Sequence, residues 1–400
     1  MSLNNTVSAE RVHIGFFGLR NAGKSSVVNA VTGQSLSLVS DVKGTTTDPV
    51  KKAMELLPLG PVVIIDTPGV DDEGELGEMR VKKAVQVLNY TDIAVLVVDA
   101  SKGLQELDKT LISRFEAKKI PYIIAFNKAD IIDNIPDAKD NEIYVSALEK
   151  INITELKNKI AEFAKGWESD KKIVADLIDS NDFVVLVVPI DESAPKGRLI
   201  LPQQQVIREV IECGATAVVC RDTELKDTLS ALGKKPRLVI TDSQAFAKVS
   251  ADTPDDIPLT SFSILFARYK GDLKSAVHGA AQLNKLNDGD KILISEGCTH
   301  HRQCNDIGTV KMPNWIKNHS KKELDFHFTS GNEFPEDLSE FSLIVHCGGC
   351  MLNAREMQFR TGYAEDSGIP MTNYGIAIAL MNGILRRSIS LFPEVLKELD

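Results

Sequence analysis

Four hundred residues with 43% hydrophobic and 26% charged side chains are too many for one ordinary core, so two or three soluble domains are expected. No apolar run reaches the ~18 residues of a membrane helix. The opening MSLNNTVSAERVHIGFFG lacks a secretory layout, which points to the cytoplasm and to no membrane partner. A net charge of −10 argues against a large nucleic-acid footprint, and six cysteines in such a chain are not a disulfide framework.

In chain order, VHIGFFG, PVVIIDTPG, IAVLVVDA, PYIIAFNKAD and EIYVSA read as buried strands. Stretches of helical period such as GKSSVVNAVTG and KTLISRFEAKK separate them. That alternation predicts a mainly parallel sheet covered on both faces, ending near the charged KGWESDKK. A second block runs through the strand FVVLVVPID, a helix around QQQVIREVIECG, the strand ATAVVCRD, the helix ELKDTLSALG and the strand PRLVITD, closing on SADTPDDIPLT. The third holds SFSILFAR, a helix around LKSAVHGAAQLNKL, and the strands DKILISEGC, ELDFHFTSG and FSLIVHCGGC. Two helices beginning near NAREMQF and NYGIAIALMN end it. The predicted class is α/β: three α/β domains over residues 1–168, 169–262 and 263–400, with mainly parallel sheets.

GLRNAGKS, Gly18 to Ser25, fits the phosphate-loop pattern G-x-x-x-x-G-K-[ST] between a strand and a helix, so the first domain reads as a P-loop GTPase. Backbone N–H groups from Asn21, Ala22 and Gly23 through Ser26 would curl around phosphate oxygens. Lys24 would reach the β- and γ-phosphates, and Ser25 would hold magnesium. In DTPG, Asp66 can hold the same magnesium through water, and the Gly69 N–H can sense the γ-phosphate. In NKAD, Asn127 and Lys128 lead to Asp130, which can accept from guanine's ring N–H and exocyclic amine. Adenine does not offer that pair, so GTP and GDP are the expected ligands. Ser146 and Ala147 close the base pocket, and KGTTTD supplies threonines for a first switch.

The order and spacing of these motifs resemble the translation-factor-like GTPases, and within them the TrmE and Era branch. That resemblance implies that Thr46 reaches magnesium. It also implies that Asn21 coordinates potassium, the cation taking the part of an arginine finger, so Lys24, Asn21 and Thr46 form the catalytic set. Asn21 equally suits a turn that needs unusual backbone angles. Ras-like enzymes follow DxxG with a glutamine that orients water. Here Val70 can neither donate nor accept, so slow intrinsic hydrolysis is expected. The acidic DDEGELGE reads as a solvated switch loop.

Near the C-terminus, Cys298-x-His300 is followed after 45 residues by His346-Cys347-x-x-Cys350. ILISEGC and LIVHC each place a cysteine just beyond a strand's carboxyl end, where parallel sheets form their sites. NAREMQ could start a helix whose positive end faces that centre. Three chemistries satisfy the pattern: structural zinc on Cys298, His300, Cys347 and Cys350; a Cys347/Cys350 redox pair; and an iron–sulfur cluster on Cys298, Cys347 and Cys350. Cys304, six residues past Cys298, is a candidate fourth thiolate. Cys213 and Cys220, in ECGATAVVC, read as small core residues.

A GTPase front end followed by C-x-H…H-C-x-x-C resembles the HydF family, GTPases that help mature FeFe-hydrogenases. The resemblance implies a middle dimerisation domain and a C-terminal domain that binds a 4Fe–4S cluster through Cys298, Cys347 and Cys350. His300, His346 or Cys304 would be the fourth ligand or lie just behind it. It also implies a homodimer or tetramer, and a scaffold role. A transient di-iron precursor would come from two radical-SAM maturases and pass to apo FeFe-hydrogenase. The alternative is an RNA-associated GTPase of the Era or TrmE kind with a structural zinc site. Residues 271–400 carry 13 Lys and Arg against 17 Asp and Glu, which is unlike an RNA-binding appendage and favours the scaffold.

Overall fold

In the computed structural model, which describes residues 8–33, 49–69, 74–165, 171–190, 199–297 and 306–399, every predicted strand of the first domain pairs into one sheet. Its strands are β1 (Val12–Phe17), β2 (Val50–Leu56), β3 (Gly60–Asp66), β4 (Ile93–Asp99), β5 (Tyr122–Asn127) and β6 (Glu142–Tyr144), in the order β2-β3-β1-β4-β5-β6. All pairings are parallel except β2 with β3. Residues alternate between two faces of a strand, and here both faces are covered, which is why β4 is apolar almost throughout. Val27, Val31, Leu156 and Ile160 cover one face; Leu88, Leu111 and Phe115 cover the other. Strand β2 was not anticipated. VKKAMEL lies at the sheet edge with its lysines exposed, so no buried run marks it.

The chain divides into two compact units, Met1–Ser169 and Asp170–Asp400. The second contains two parallel four-stranded sheets. One, ordered β10-β9-β7-β8, comprises β7 (Phe183–Val187), β8 (Thr216–Cys220), β9 (Leu238–Thr241) and β10 (Leu259–Ser261). The other, ordered β12-β11-β13-β14, comprises β11 (Lys291–Glu296), β12 (Asp325–Ser330), β13 (Leu343–His346) and β14 (Met371–Asn373). One apolar core joins the first of these sheets to helices that precede and follow the second, while the strands β11 and β13 are buried in separate clusters. SFSILFAR forms the helix Phe262–Lys270, and its Phe262, Ile264 and Leu265 pack with Val185 and Ile240 of the first sheet and with Ile376 and Ala379 beyond the second. Strands β10 and β14 are too short to stand out as apolar runs. The helix Met312–Ser320 shows only Met312 and Ile316 as a buried pair four residues apart. Among the described residues no helix is long and apolar enough to cross a membrane.

Strand order fixes where sites can form. In the first sheet β1 has β3 on one side and β4 on the other; in the last, β11 has β12 and β13. Chain connections leave in opposite directions at such a strand, which opens a crevice at its carboxyl end. The phosphate-loop motif follows β1, and the two halves of the cysteine motif follow β11 and β13.

Candidate functional site

Beyond β1 the chain turns through Gly18 to Gly23 and enters the helix Lys24–Thr32. Asn21 sits at φ 65° and is exposed; Gly23 sits at φ 82° as the helix cap and makes no side-chain capping bond. A Cβ at Gly23 would meet Asn127 Nδ2 at 2.2 Å, so only glycine fits both the angle and the space. With no side chain consuming them, the first N–H groups of that helix keep the donor capacity on which anion binding depends.

Lys24 is buried, with its ammonium against Asp66 Oδ1, while Ser25 Oγ donates to Asp66 Oδ2 at 3.1 Å. The end of β3 is thereby tied to the start of the helix. Thr67 Oγ1 donates to the Phe16 carbonyl at 2.7 Å, and Gly69 lies close enough to Arg20 Cα that a Cβ would sit 3.2 Å from it. DTPG therefore borders the phosphate loop.

NKAD closes the other side. Asn127 Nδ2 donates to the Ala22 carbonyl at 3.0 Å, and Asn127 Oδ1 accepts from Ala147 N at 3.1 Å, so one side chain joins the phosphate loop to the SA segment. Ser146 Oγ accepts from Glu149 N at 3.1 Å. Lys128, at φ 68°, pairs with Asp99. Burial pushes Asp99 up, but Lys128 and Ser101 outweigh it and hold the carboxyl below its ordinary value. Asp99 was missed in the sequence because it closes an ordinary-looking apolar strand. Asp130 and Ser26 are exposed. Thr46, its neighbours Thr45 and Thr47, and Val70 lie outside the described residues.

At the far end of the chain, β11 and β13 are neighbours in parallel register, with Ser295 opposite His346. The Cys347 N–H donates to the Ser295 carbonyl at 2.8 Å. Cys347 Sγ accepts from Gly297 N at 3.0 Å and from Gly349 N at 3.4 Å. The residue just before Cys298 is thus held against the sulfur of Cys347. Cys298, His300 and Cys304 themselves lie outside the described residues. Gly349 takes φ 61°, an angle that favours glycine, and a Cβ there would meet Met357 Sδ at 2.5 Å, so a larger residue would strain the C-G-G-C turn and displace Met357.

His346 is fully buried, and both of its ring nitrogens are engaged. Nδ1 donates to the Cys347 carbonyl at 2.7 Å, and Nε2 accepts from Arg360 Nη1 at 3.0 Å. Burial first, then the Arg360 charge, pull its pKa down to about 3, so the ring is neutral. Arg360, also fully buried, reaches Glu356 at 2.8 Å, Ser295 Oγ at 3.3 Å and the Gly331 carbonyl at 2.8 Å. The Lys270 ammonium donates to the carbonyls of Gly349, Cys350 and Leu352 at 3.5, 3.4 and 3.1 Å. Burial pushes the Cys350 thiol up, while the Lys270 charge acts the other way. NAREMQ does begin a helix, Ala354–Asp366, but its first turn is capped by Asn353 Oδ1, which accepts from Glu356 N at 3.0 Å. No sequence motif signals Lys270, Arg360 or Ser295. Among the described residues no group of three or more His, Cys, Asp or Glu side chains is placed to hold a metal ion.

Comparison with known proteins supplies the lineage. Residues 13–128 match a family described as 50S ribosome-binding GTPase. Residues 173–271 match the hydrogen maturase F dimerization domain, and residues 274–391 match the hydrogen maturase F tetramerization domain. GTPase Der of Kosmotoga olearia is 27% identical over 216 residues, 49% of this chain and 48% of that protein. The tRNA modification GTPase MnmE of Bordetella petrii is 30% identical over 159 residues, 40% of this chain and 34% of that protein. The chain therefore spans half or less of the length of these curated relatives. A crystal structure of Aquifex aeolicus Era bound to GDP.AlF4- aligns at 17% identity over 60% of this chain and 99% of that one, with a TM-score of 0.34. Two adjoining hydrogen maturase F domains together match more than half of the chain behind a GTPase domain, and this chain belongs to the hydrogen maturase F family.

Proposed function

We propose that the protein is a GTP-hydrolysing scaffold of FeFe-hydrogenase maturation, working in the cytoplasm as a dimer or tetramer of itself. Its nucleotide site uses Asn21, Ala22, Gly23, Lys24, Ser25 and Ser26 on the phosphates of GTP or GDP, with Gly69 near the γ-phosphate. Ser25, Asp66 and Thr46 serve magnesium. Asn127, Lys128, Asp130, Ser146 and Ala147 serve the guanine, and Asn21 recruits potassium. The buried Lys24–Asp66 contact supports this assignment, because a cation and an anion already face each other where phosphate and magnesium would enter.

The second part of the proposal is a 4Fe–4S cluster on Cys298, Cys347 and Cys350. The single observation that carries it is the pair of N–H donors on Cys347 Sγ, one of them from the residue preceding Cys298. A sulfur that accepts amide hydrogens at the meeting point of two strand ends is suited to thiolate charge. His346 is assigned a positioning role, since both its nitrogens are occupied by the protein. When bound, the cluster supplies an iron with an exchangeable position to which a di-iron precursor can attach. Two radical-SAM maturases would deliver that precursor, and apo FeFe-hydrogenase would receive it. The edge strand β8, whose Val219 is exposed, supports self-association through the dimerization domain.

Anaerobic purification followed by iron and sulfide reconstitution tests the reading. The expected product is brown, holds stoichiometric iron and sulfide, and loses both on Cys347→Ser. A colourless, zinc-stoichiometric protein that resists reconstitution would favour the RNA-associated alternative.

A further inference from the structure

Lys270 is 5% exposed, and its charge ends up beneath the cysteine turn. It is the last residue of the helix Phe262–Lys270, whose Phe262, Ile264, Leu265 and Phe266 are fixed in the core built on the β7–β10 sheet. The side chain passes Phe266, whose ring centroid is 5.8 Å from Nζ, and ends among the carbonyls of Gly349, Cys350 and Leu352. Those three oxygens belong to the turn that carries Cys347 and Cys350 and to the residue just before the Asn353 cap. A cavity borders the same spot, lined by Phe266, Lys270, His346, Cys347, Met357 and Met371 among others.

Burying an ammonium is costly unless its hydrogen bonds are satisfied. A turn carbonyl could be satisfied as well by a neutral donor or by water. Placing a full positive charge there has a second effect, because charges interact strongly where water is excluded. A cluster held by three thiolates is anionic, and one-electron reduction makes it more so.

We propose that Lys270 is a positioning and potential-setting residue of the cysteine site, clamping the Cys347–Cys350 turn through its carbonyls and favouring the reduced, more negative state of the cluster. The proposal rests on the cluster reading above. It also has an architectural consequence: Lys270 falls within residues 173–271, the span of the dimerization domain, so that domain contributes directly to the site of the next one.

The test uses the full chain, reconstituted anaerobically with iron and sulfide. The cluster is titrated with dithionite as electron donor and followed by electron paramagnetic resonance. Lys270→Met, Lys270→Gln and Lys270→Arg are compared with the unmodified protein, and folding is checked by circular dichroism. Lys270→Arg keeps donors and charge; Lys270→Gln keeps donors alone. The expected result is a midpoint potential shifted to more negative values in Lys270→Met and Lys270→Gln and little changed in Lys270→Arg. A role confined to holding the turn would leave Lys270→Gln at the potential of Lys270→Arg, which overturns the proposal. If Lys270→Met fails to load, the Gln and Arg variants still decide. Unmodified protein that takes up no cluster defeats the cluster reading and the proposal together. A loaded protein whose potential ignores the charge at this position defeats the proposal alone.

Discussion

The two ends of this chain place polar groups at the carboxyl edge of a parallel sheet by opposite means. At the phosphate loop the backbone does most of the work. Gly23 opens a helix without a side-chain cap, and the side chains that matter, Lys24, Ser25 and Asp66, are two short segments from neighbouring strands. At the cysteine turn the backbone is held from outside by buried side chains from several elements. Arg360 comes from a following helix, Lys270 from a preceding one, and Ser295 from the adjacent strand. A site made by backbone should tolerate loss of a side chain in its stability and fail in its chemistry. A site made by buried charges should fail in its stability first.

Arg360→Met is the strongest way to break that contrast. It removes the partner of Glu356 and a donor to His346 in a fully buried setting. Leaving one member of a buried pair uncompensated costs about 3–5 kcal/mol. Chemical denaturation followed by circular dichroism should show a loss of that size, with iron uptake lost as well. A loss below about 1 kcal/mol, in the range of a surface pair, would mean the network is not what holds the turn.

Lys24→Ala is the matching change at the other end. GTP hydrolysis, measured by phosphate release, should fall about 10²–10³-fold, the usual effect of removing one charge-stabilising group. The loss of stability should be smaller than in Arg360→Met, because Asp66 keeps its Ser25 donor and is less deeply buried than Glu356. A large drop in stability with nucleotide binding intact would reverse the comparison.

The same contrast explains what the sequence reveals. The phosphate loop, DTPG, NKAD and SA are contiguous, since each is a single strand end, and strand-helix alternation orders them. The cysteine turn is legible for the same reason, as two strand ends carrying soft ligands. Its supports are not. Glu356 and Arg360 lie four apart in NAREMQFR, a spacing that ordinarily reads as an exposed ion pair on a helix surface. Only the packing of Ala354–Asp366 onto β11 and β13 buries it. Lys270 lies just past what reads as an ordinary apolar stretch, SFSILFAR, and 80 residues from the Cys350 carbonyl it holds. The strand β2 was illegible because its lysines face solvent at a sheet edge.

A smaller effect is expected from Asn21→Ala. Asn21 is exposed at the mouth of the phosphate loop. If it recruits potassium, hydrolysis should be faster in potassium than in sodium salts, by about tenfold or roughly 1.4 kcal/mol of barrier. The variant should lose that difference without losing nucleotide. Equal rates in the two salts, or a stimulation that survives the substitution, would leave Asn21 as a turn residue only.

The smallest effect contrasts the two helix starts. Gly23 offers no side-chain cap to Lys24–Thr32, whereas Asn353 caps Ala354–Asp366 through the bond from Glu356 N. Removing such a cap costs about 1 kcal/mol, so Asn353→Ala should lower the unfolding free energy by that amount. Asn353→Ser, which keeps a side-chain acceptor, should recover most of it. Because Asn353 follows the Leu352 carbonyl held by Lys270, the Ala variant should also bind iron less completely while hydrolysing GTP at the unmodified rate. Stability unchanged in Asn353→Ala would mean that the helix start is fixed by packing alone. In that case the difference between an open N-terminus at the nucleotide and a closed one at the cysteines would have no energetic weight.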